Sequence, residues 1–340
     1  MEPALPTARP PLEIACDESG YEGENLIGGT TDVFAHAGVR LDGEAATACL
    51  REIHRRIRSP VREYKSTHLL REKHRPVLEW FLGPSGLLHG DAHVQLTDKT
   101  FFVVATLVDL LAPRPAVPAG AGPARDPRSR EMAATLYRQG PATFGAARWQ
   151  RFLASFTDVL RPRNRHGPET PVETFFGMVD DLRRASPPGP VAELLGLLCQ
   201  ARPRALALRA LLDDPSTIPA LDLLFPAIVG AVAWWGRDAA PVAIVHDEHS
   251  TLTTRRIARL QRLPEVGGRL ASLRRVDSRA DARVQVADFL AGVARKIASD
   301  ARNGHGDAEL TALLRPYVDA RSIWGEARSW ALLRPAAEWR

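Results

Sequence analysis

Three acidic positions far apart in the chain have neighbours that would bring them to one place. Asp17 sits in Cys16-Asp17-Glu18-Ser19-Gly20 at the end of the first hydrophobic stretch, Asp247 in His246-Asp247-Glu248-His249, and Asp288 in Gln285-Val286-Ala287-Asp288. Carboxylates gathered in one cleft repel and raise one another's pKa unless a cation compensates, and hard oxygen ligands suit Mg²⁺ or Mn²⁺. Two such ions roughly 3.5–4 Å apart can clamp the attacking water and the leaving oxygen of a phosphodiester. Asp17, Asp247 and Asp288 are therefore the expected metal ligands, with Glu18 supplementing them.

The elements that must position these residues follow from hydrophobic periodicity. Leu12 to Asp17 and Pro241 to Asp247 are short apolar runs ending in an acid, the pattern of strands buried on both faces. Acids at carboxyl ends of strands face the crevice where open α/β sheets bind ligands. Residues 282–299 have helical spacing, with Val284, Ala287, Leu290, Ala291, Ala294 and Ile297 as an apolar stripe, so Gln285, Asp288 and Gly292 share a neighbouring face. Gly292 costs about 1 kcal/mol in a helix interior, which fits a helix that must approach a sheet closely. Each acid also has an ordinary reading: Asp17 as a turn residue before Ser-Gly, Asp247 as a cap for a helix beginning near Thr251, Asp288 as a solvated helix position.

Further candidates surround these three. In Glu63-Tyr64-Lys65-Ser66 an extended backbone would point Glu63 and Lys65 to one side, so that Glu63 joins the metal shell and Lys65 neutralises a phosphate; a surface ion pair is the alternative. His249 is a candidate proton shuttle, and with His246 it permits Zn, Mn or Fe in place of Mg. Ser19, Lys65, Arg279 and Gln285 are the candidate substrate contacts, Arg279 because its planar fork matches phosphate oxygens. Asp98-Lys99 is a phosphate contact or a helix cap.

Residues 1–11 read as a disordered leader, 12–112 and 239–300 as two parts of one core, 113–238 as a Pro/Gly/Ala-rich linker followed by helices, and 301–340 as a helical tail. Residues 32–41 fit a second strand, 43–58 a helix, and 94–111 a strand or a strand and helix. No GxGxxG precedes a helix, so no dinucleotide fingerprint is present. The helical stretch would cap the sheet, gating substrate entry or forming a homodimer surface.

In these marks the chain resembles the bacterial family called domain of unknown function 3800. The shared residues are Asp17-Glu18-Ser19-Gly20, then Glu63, Lys65 and Ser66, then Asp247 at a strand end, and a late helix with Gln285, Ala287, Asp288, Ala291 and Gly292. The resemblance implies an α/β fold, a ribonuclease-H-like mixed sheet flanked by helices, to which this chain's own stretch 113–238, unmatched by the family marks, would add a large mainly helical insertion. It also implies a metal-dependent, nuclease-type site.

Composition is that of a globular chain: 340 residues, 45% hydrophobic and 25% charged, with no 18-residue apolar span, which excludes a membrane-spanning helix. Three scattered cysteines and no secretion-type leader point to a reducing, cytoplasmic setting. The net charge of +5 is concentrated late, where residues 251–340 hold 17 Lys and Arg against 10 Asp and Glu, as suits a nucleic-acid partner. The expected activity is metal-dependent hydrolysis of DNA or RNA phosphodiesters. A non-catalytic nucleic-acid-binding or complex-forming protein and a metal-dependent hydrolase of a small metabolite are the alternatives.

Overall fold

The computed structural model describes residues 10–58, 65–110, 122–123, 126–161, 170–212, 214, 217–238 and 240–335. The sheet is built by side chains that alternate between two apolar layers. Along β1 (Leu12–Ser19), Ile14 and Cys16 enter the first layer and Ala15 the second. In β2 (Val33–Val39), Phe34 enters the first, and Val33, Ala35, Ala37 and Val39 the second. β3 (Ala92–Asp98) lies at one edge, followed inward by β2 and β1, then β4 (Val242–Asp247) and the other edge strand β5 (Leu270–Val276). β1 and β2, and β2 and β3, are antiparallel; β4 runs parallel to both β1 and β5. The chain is thus α/β, with a five-stranded mixed sheet flanked by helices on both faces.

The second face is covered by α1 (Gly43–Ile57), α2 (Ser66–Leu69), α3 (Arg75–Leu82) and, most extensively, by α12 (Ala282–Arg302), with α13 (Ala308–Leu314) and α14 (Ala327–Leu333) behind it. The first face is covered by α4 (Lys99–Asp109) and by helices before β4: α5 (Pro127–Phe144), α6 (Ala146–Leu160), α7 (Pro171–Ala185), α8 (Pro190–Cys199), α9 (Arg202–Leu211) and α10 (Leu224–Trp235). Between β4 and β5 lies α11 (Thr254–Gln261).

The expected strands and helices at 12–17, 32–41, 43–58, 241–247 and 282–299 are all present, displaced at their ends by a few residues. The expected segment 94–111 divides at Asp98, which caps α4 by accepting from the Phe101 amide at 3.0 Å. Asp98 is wholly buried, and its carboxylate also accepts from Tyr137 Oη (2.6 Å) and Arg302 Nε (3.0 Å). Lys99 is equally buried and paired with Glu22. Asp98-Lys99 is therefore a structural knot and not a phosphate contact. Most of the expected linker, including residues 111–121, lies outside the described residues, as do residues 1–9 of the expected leader.

An unprotected sheet edge invites pairing with other chains. The β3 edge is covered by the chain's own tail: Asp319 N donates to Val94 O (2.7 Å), Ile323 N to Leu96 O (2.9 Å) and Asp98 N to Ile323 O (2.8 Å). Trp324 and Trp330 lie against the second layer, where indole Nε1 of Trp324 donates to Ser329 Oγ at 2.9 Å, so these tail aromatics serve packing. The tail is pinned by Asp319, 1% exposed, which meets His93 Nε2 at 2.9 Å and the Arg321 guanidinium at 3.0 Å.

Burial alone would push the Asp319 carboxyl up, but the hydrogen bonds and charges of His93 and Arg321 hold it well below the usual carboxylate range. A depressed carboxylate stabilises the fold above its unfolded pKa of about 4, and that contribution is lost as pH falls through the folded value. Asp319→Asn should therefore cost about 3 kcal/mol in urea unfolding at neutral pH. The gap to wild type should narrow steadily below about pH 4; a gap independent of pH would assign the loss to packing instead.

Candidate functional site

Adjacent residues on a strand leave opposite faces of the sheet, so Asp17 and Glu18 at the end of β1 begin two different environments. Asp17 shares the second face with Ala15, under α12. Asp247 ends the neighbouring β4 on that same face, and one of its carboxylate oxygens accepts from the Ser278 amide at 2.9 Å, which fixes its direction. Asp288 comes from α12. Asp17 is 5% exposed, and its carboxyl is pushed up by burial first, then by the charges of Glu18, Asp288 and Asp247, against the opposing hydrogen bond from the Glu18 amide. Burial and Asp247 also raise Asp288, while Lys65 pulls it down. The three acids expected from the sequence thus act on one another at one end of the sheet, with Lys65 beside them.

Gly292 explains how Lys65 gets there. A Cβ on Gly292 would stand 2.0 Å from Ser66 Oγ and 2.3 Å from Ser66 Cβ. The glycine therefore admits the start of α2 against α12, rather than α12 against the sheet as its position in the sequence suggested. Ser19 is held nearby by Arg295, whose Nε donates to its hydroxyl at 3.0 Å. Glu63 lies outside the described residues.

On the first face, Glu18 meets two histidines: its Oε2 is 3.6 Å from His246 Nε2 and its Oε1 3.7 Å from His249 Nε2. His246 is fully buried, and that burial lowers its pKa to about 4, so its ring is neutral. Its Nδ1 lies 3.0 Å from the carbonyl of Asp247, which can only accept, so the proton is on Nδ1 and Nε2 presents a bare lone pair. His249 is the opposite tautomer: Nδ1 accepts from the Thr251 amide (3.2 Å), leaving Nε2–H toward Glu18. Burial followed by the charge of Asp247 raises Glu18, and Asp17 acts on it directly in the opposing sense. Glu18 Oε2 and His246 Nε2 are buried with no hydrogen-bond partner among the described residues.

A buried acid that sequence reasoning missed organises this face. Asp222, 2% exposed, accepts from Tyr21 Oη (3.0 Å), Thr251 Oγ1 (2.7 Å) and the Leu224 amide (2.9 Å). Tyr21 in turn meets the His249 ring edge-on, centroids 4.4 Å apart. The loop after β1, the loop after β4 and the lead into α10 are thereby tied through one carboxylate. The signal available was an acid flanked by leucines, Leu221-Asp222-Leu223, in a stretch without recognisable motifs.

Two expected substrate contacts, Arg279 and Gln285, also support the passage from β5 into α12. Gln285 Nε2 donates to the Ser278 carbonyl at 2.9 Å. Arg279 pairs with Asp277 at 2.8 Å, its side chain 76% exposed. Asp281 caps α12, accepting from the Arg283 amide, and Thr253, not Asp247, caps α11. Among the described residues, no three His, Cys, Asp or Glu side chains form a ready-made metal-ligating group.

Gly292→Ala should lower stability by about 1–3 kcal/mol through the clash with Ser66. Adding Ser66→Gly should recover most of the loss, since a double-mutant cycle isolates contacts between neighbours. Additive losses in thermal unfolding would show that the close approach at Gly292 is not the constraint.

Comparison of the chain with known proteins found no matching family model, no matching curated protein and no matching solved structure.

Proposed function

We propose that the chain is a divalent-metal-dependent phosphodiesterase of nuclease type, built on a ribonuclease-H-like core with α5–α10 as its helical insertion, and related to the family its motifs resemble. The observation that carries this reading is the convergence of Asp17, Asp247 and Asp288, from two parallel strand ends and a crossing helix, into a setting where burial and mutual repulsion raise Asp17 and Asp288. Perturbed carboxyls of this kind cluster at functional sites. The core assignment is supported by the mixed sheet, in which an antiparallel strand and a parallel strand flank β1 and both acid-bearing strands are central.

The donor chemistry suits a hard cation, which would have to draw these oxygens together, since no ready-made ligating group is formed among the described residues. Glu18 Oε2, buried without a hydrogen-bond partner, would be relieved by a proton or a positive ion. Asp17, Asp247 and Asp288 would hold Mg²⁺ or Mn²⁺, with Glu18 in support. The cation would supply charge neutralisation at the phosphate and activation of water. Lys65, beside Asp288, would add a positive charge to the phosphate oxygens. His249, whose Nε2–H faces Glu18 and whose pKa burial lowers against the opposing charges of Asp222 and Asp247, would move a proton at the solvent side of the cluster. Asp222 acts on substrate only through Tyr21 and Thr251, by holding the His249 loop.

Calorimetric titration with Mn²⁺ and hydrolysis of bis(p-nitrophenyl) phosphate test this reading together. Asp17→Asn and Asp288→Asn should each lose Mn²⁺ binding, and turnover should fall by about a hundredfold or more. Without metal, Asp17→Asn should melt at or above the wild-type temperature, because a buried acid is replaced by a neutral isostere. With Mn²⁺, only wild type should gain stability by mass action. Turnover retained in purified Asp17→Asn would overturn the proposal.

A further inference from the structure

The face of α12 that carries Asp288 continues as a polar ridge at helical spacing: Gln285, Asp288, Gly292, Arg295, Ser299 and Arg302. Three of these positions are closed by structural partners. Gln285 holds the Ser278 carbonyl, Ser299 Oγ donates to Asp32 at 2.6 Å, and Arg302 reaches Asp32 and Asp98. Arg295 differs. It is half-buried, its Nε donates to Ser19 Oγ, and its terminal amino groups meet neither an acid nor any other acceptor among the described residues. Its charge acts on Lys99 as repulsion: burial lowers the Lys99 pKa, Glu22 opposes that, and Arg295 adds to the lowering. A part-buried guanidinium without a counter-charge is receptive to an anion.

Two glycines shape the space around it. Gly20, at φ +85°, follows Ser19, and a Cβ there would stand 2.7 Å from Arg295 Cδ, so the glycine lets the arginine stem pass toward Ser19. Gly292 lies one turn after Asp288 and one turn before Arg295. A Cβ on it would be 2.0 Å from Ser66 Oγ and 3.9 Å from Ser19 Oγ, so both hydroxyls flank the same bare stretch of helix. Lys65, next to Ser66, is close enough to Asp288 to lower it. At about 1.5 Å rise per residue, Asp288 and Arg295 are about 10 Å apart along the helix, which leaves room for a phosphate group between the acid and the guanidinium.

Resting on the hydrolase reading, we propose that Arg295 is a substrate-binding residue: its guanidinium, the hydroxyls of Ser19 and Ser66 and the ammonium of Lys65 form a phosphate cradle over Gly292, beside the acids. The terminal amino groups of Arg295 match two phosphate oxygens as a fork. Ser19 accepts from Arg295 Nε and so keeps its own O–H free to donate to the same group. A phosphodiester of a nucleic-acid strand is thereby held against the metal-ligating carboxylates.

The test combines kinetics with binding. In Mn²⁺, Arg295→Gln should raise KM for bis(p-nitrophenyl) phosphate by about tenfold or more while calorimetric Mn²⁺ affinity stays at the wild-type value. The second measurement avoids metal and turnover: in EDTA, on the Asp17→Asn background, anisotropy of a labelled single-stranded oligonucleotide should show Arg295→Gln reducing the salt slope of log K by about 1. Lys296→Gln, at the next position of α12 and paired with Asp300, removes equal charge from another face and should leave both measurements nearly unchanged. Arg295→Lys, the milder replacement should the glutamine variant fail to fold, should keep the slope yet raise KM several-fold, because the charge stays and the fork is lost. Equal losses in Arg295→Gln and Lys296→Gln would overturn the cradle, reducing it to net charge. Ser19→Ala that matches the whole loss of Arg295→Gln, with the slope unchanged in both, would overturn it in favour of a structural tie at the end of β1. Unchanged KM and slope in Arg295→Gln with turnover intact would overturn the cradle and leave the hydrolase reading standing. An Arg295-dependent slope in a chain that takes up no Mn²⁺ would keep the cradle and remove the hydrolase reading.

Discussion

Packing of α12 across the second face of the sheet is the constraint on which the rest of the arrangement depends. The helix is 21 residues long, and 12 of them are buried, among them Val284, Ala287, Leu290, Ala291, Ala294 and Ile297, the apolar stripe visible in the sequence. Fully burying side chains of this size stabilises by about 1.5–3 kcal/mol for each large one, far more than any surface ion pair in the molecule. The polar positions of α12 are carried to fixed places by that burial. Asp288 reaches the strand-end acids, Arg295 reaches Ser19, and Arg302 reaches Asp98 and Asp32 at 3.0 and 3.2 Å. One hydrophobic stripe thereby sets three polar registers, and Gly292 admits Ser66 and its neighbour Lys65 to the same helix.

The parts that were legible are those in which one side chain reports its own surroundings. Ile14, Ile244 and Val245 flank strand-end acids because a strand covered on both faces must be continuously apolar, and so β1 and β4 could be read directly. β5 could not. Its sequence, Leu-Ala-Ser-Leu-Arg-Arg-Val, is that of an edge strand with one side in solvent, and neither a continuous nor a strictly alternating apolar pattern marks it. Asp17 and Asp247 stand out because each closes a strand that could be read from its apolar run, and Asp288 because it lies beside the apolar stripe of α12. Asp222 was hidden because its partners Tyr21 and Thr251 are far off in sequence and become neighbours only once the sheet and α10 are in place. Gln285 and Arg279 show the converse. A polar residue beside a motif can equally serve the backbone turn that supports it, as Gln285 does at the Ser278 carbonyl.

The first face of the sheet shows how much polarity the fold tolerates away from the acids. His36 and His246 stack with centroids 5.4 Å apart, both fully buried, and burial drives His36 well below its ordinary pKa. Both ring nitrogens of His36, Oε1 of Gln95 and Nε1 of Trp235 have no hydrogen-bond partner among the described residues. An apolar residue at any of these positions would avoid a penalty of about 1–3 kcal/mol. Gly230 sharpens the contrast, since a Cβ there would stand 1.8 Å from Gln95 Oε1, so α10 is shaped to leave room for that amide.

A stability argument bears on the choice between hydrolase and binding protein. Gathering Asp17, Glu18 and Asp288 at one end of the sheet opposes folding, because burial raises each of them and Asp247 adds repulsion to all three. A protein that only bound a polyanion through its arginines would gain by placing neutral residues there, and acids so placed would repel the phosphates it recruits. Positions where a fold departs from its local optimum without a structural return are those where function imposes the departure. The buried acids are hard to account for unless a cation reverses the sign of the cluster. A site that is repulsive to phosphate alone and receptive with a divalent ion is what metal-dependent hydrolysis demands. That conditional sign is the physical reason for ranking the catalytic reading above the binding one.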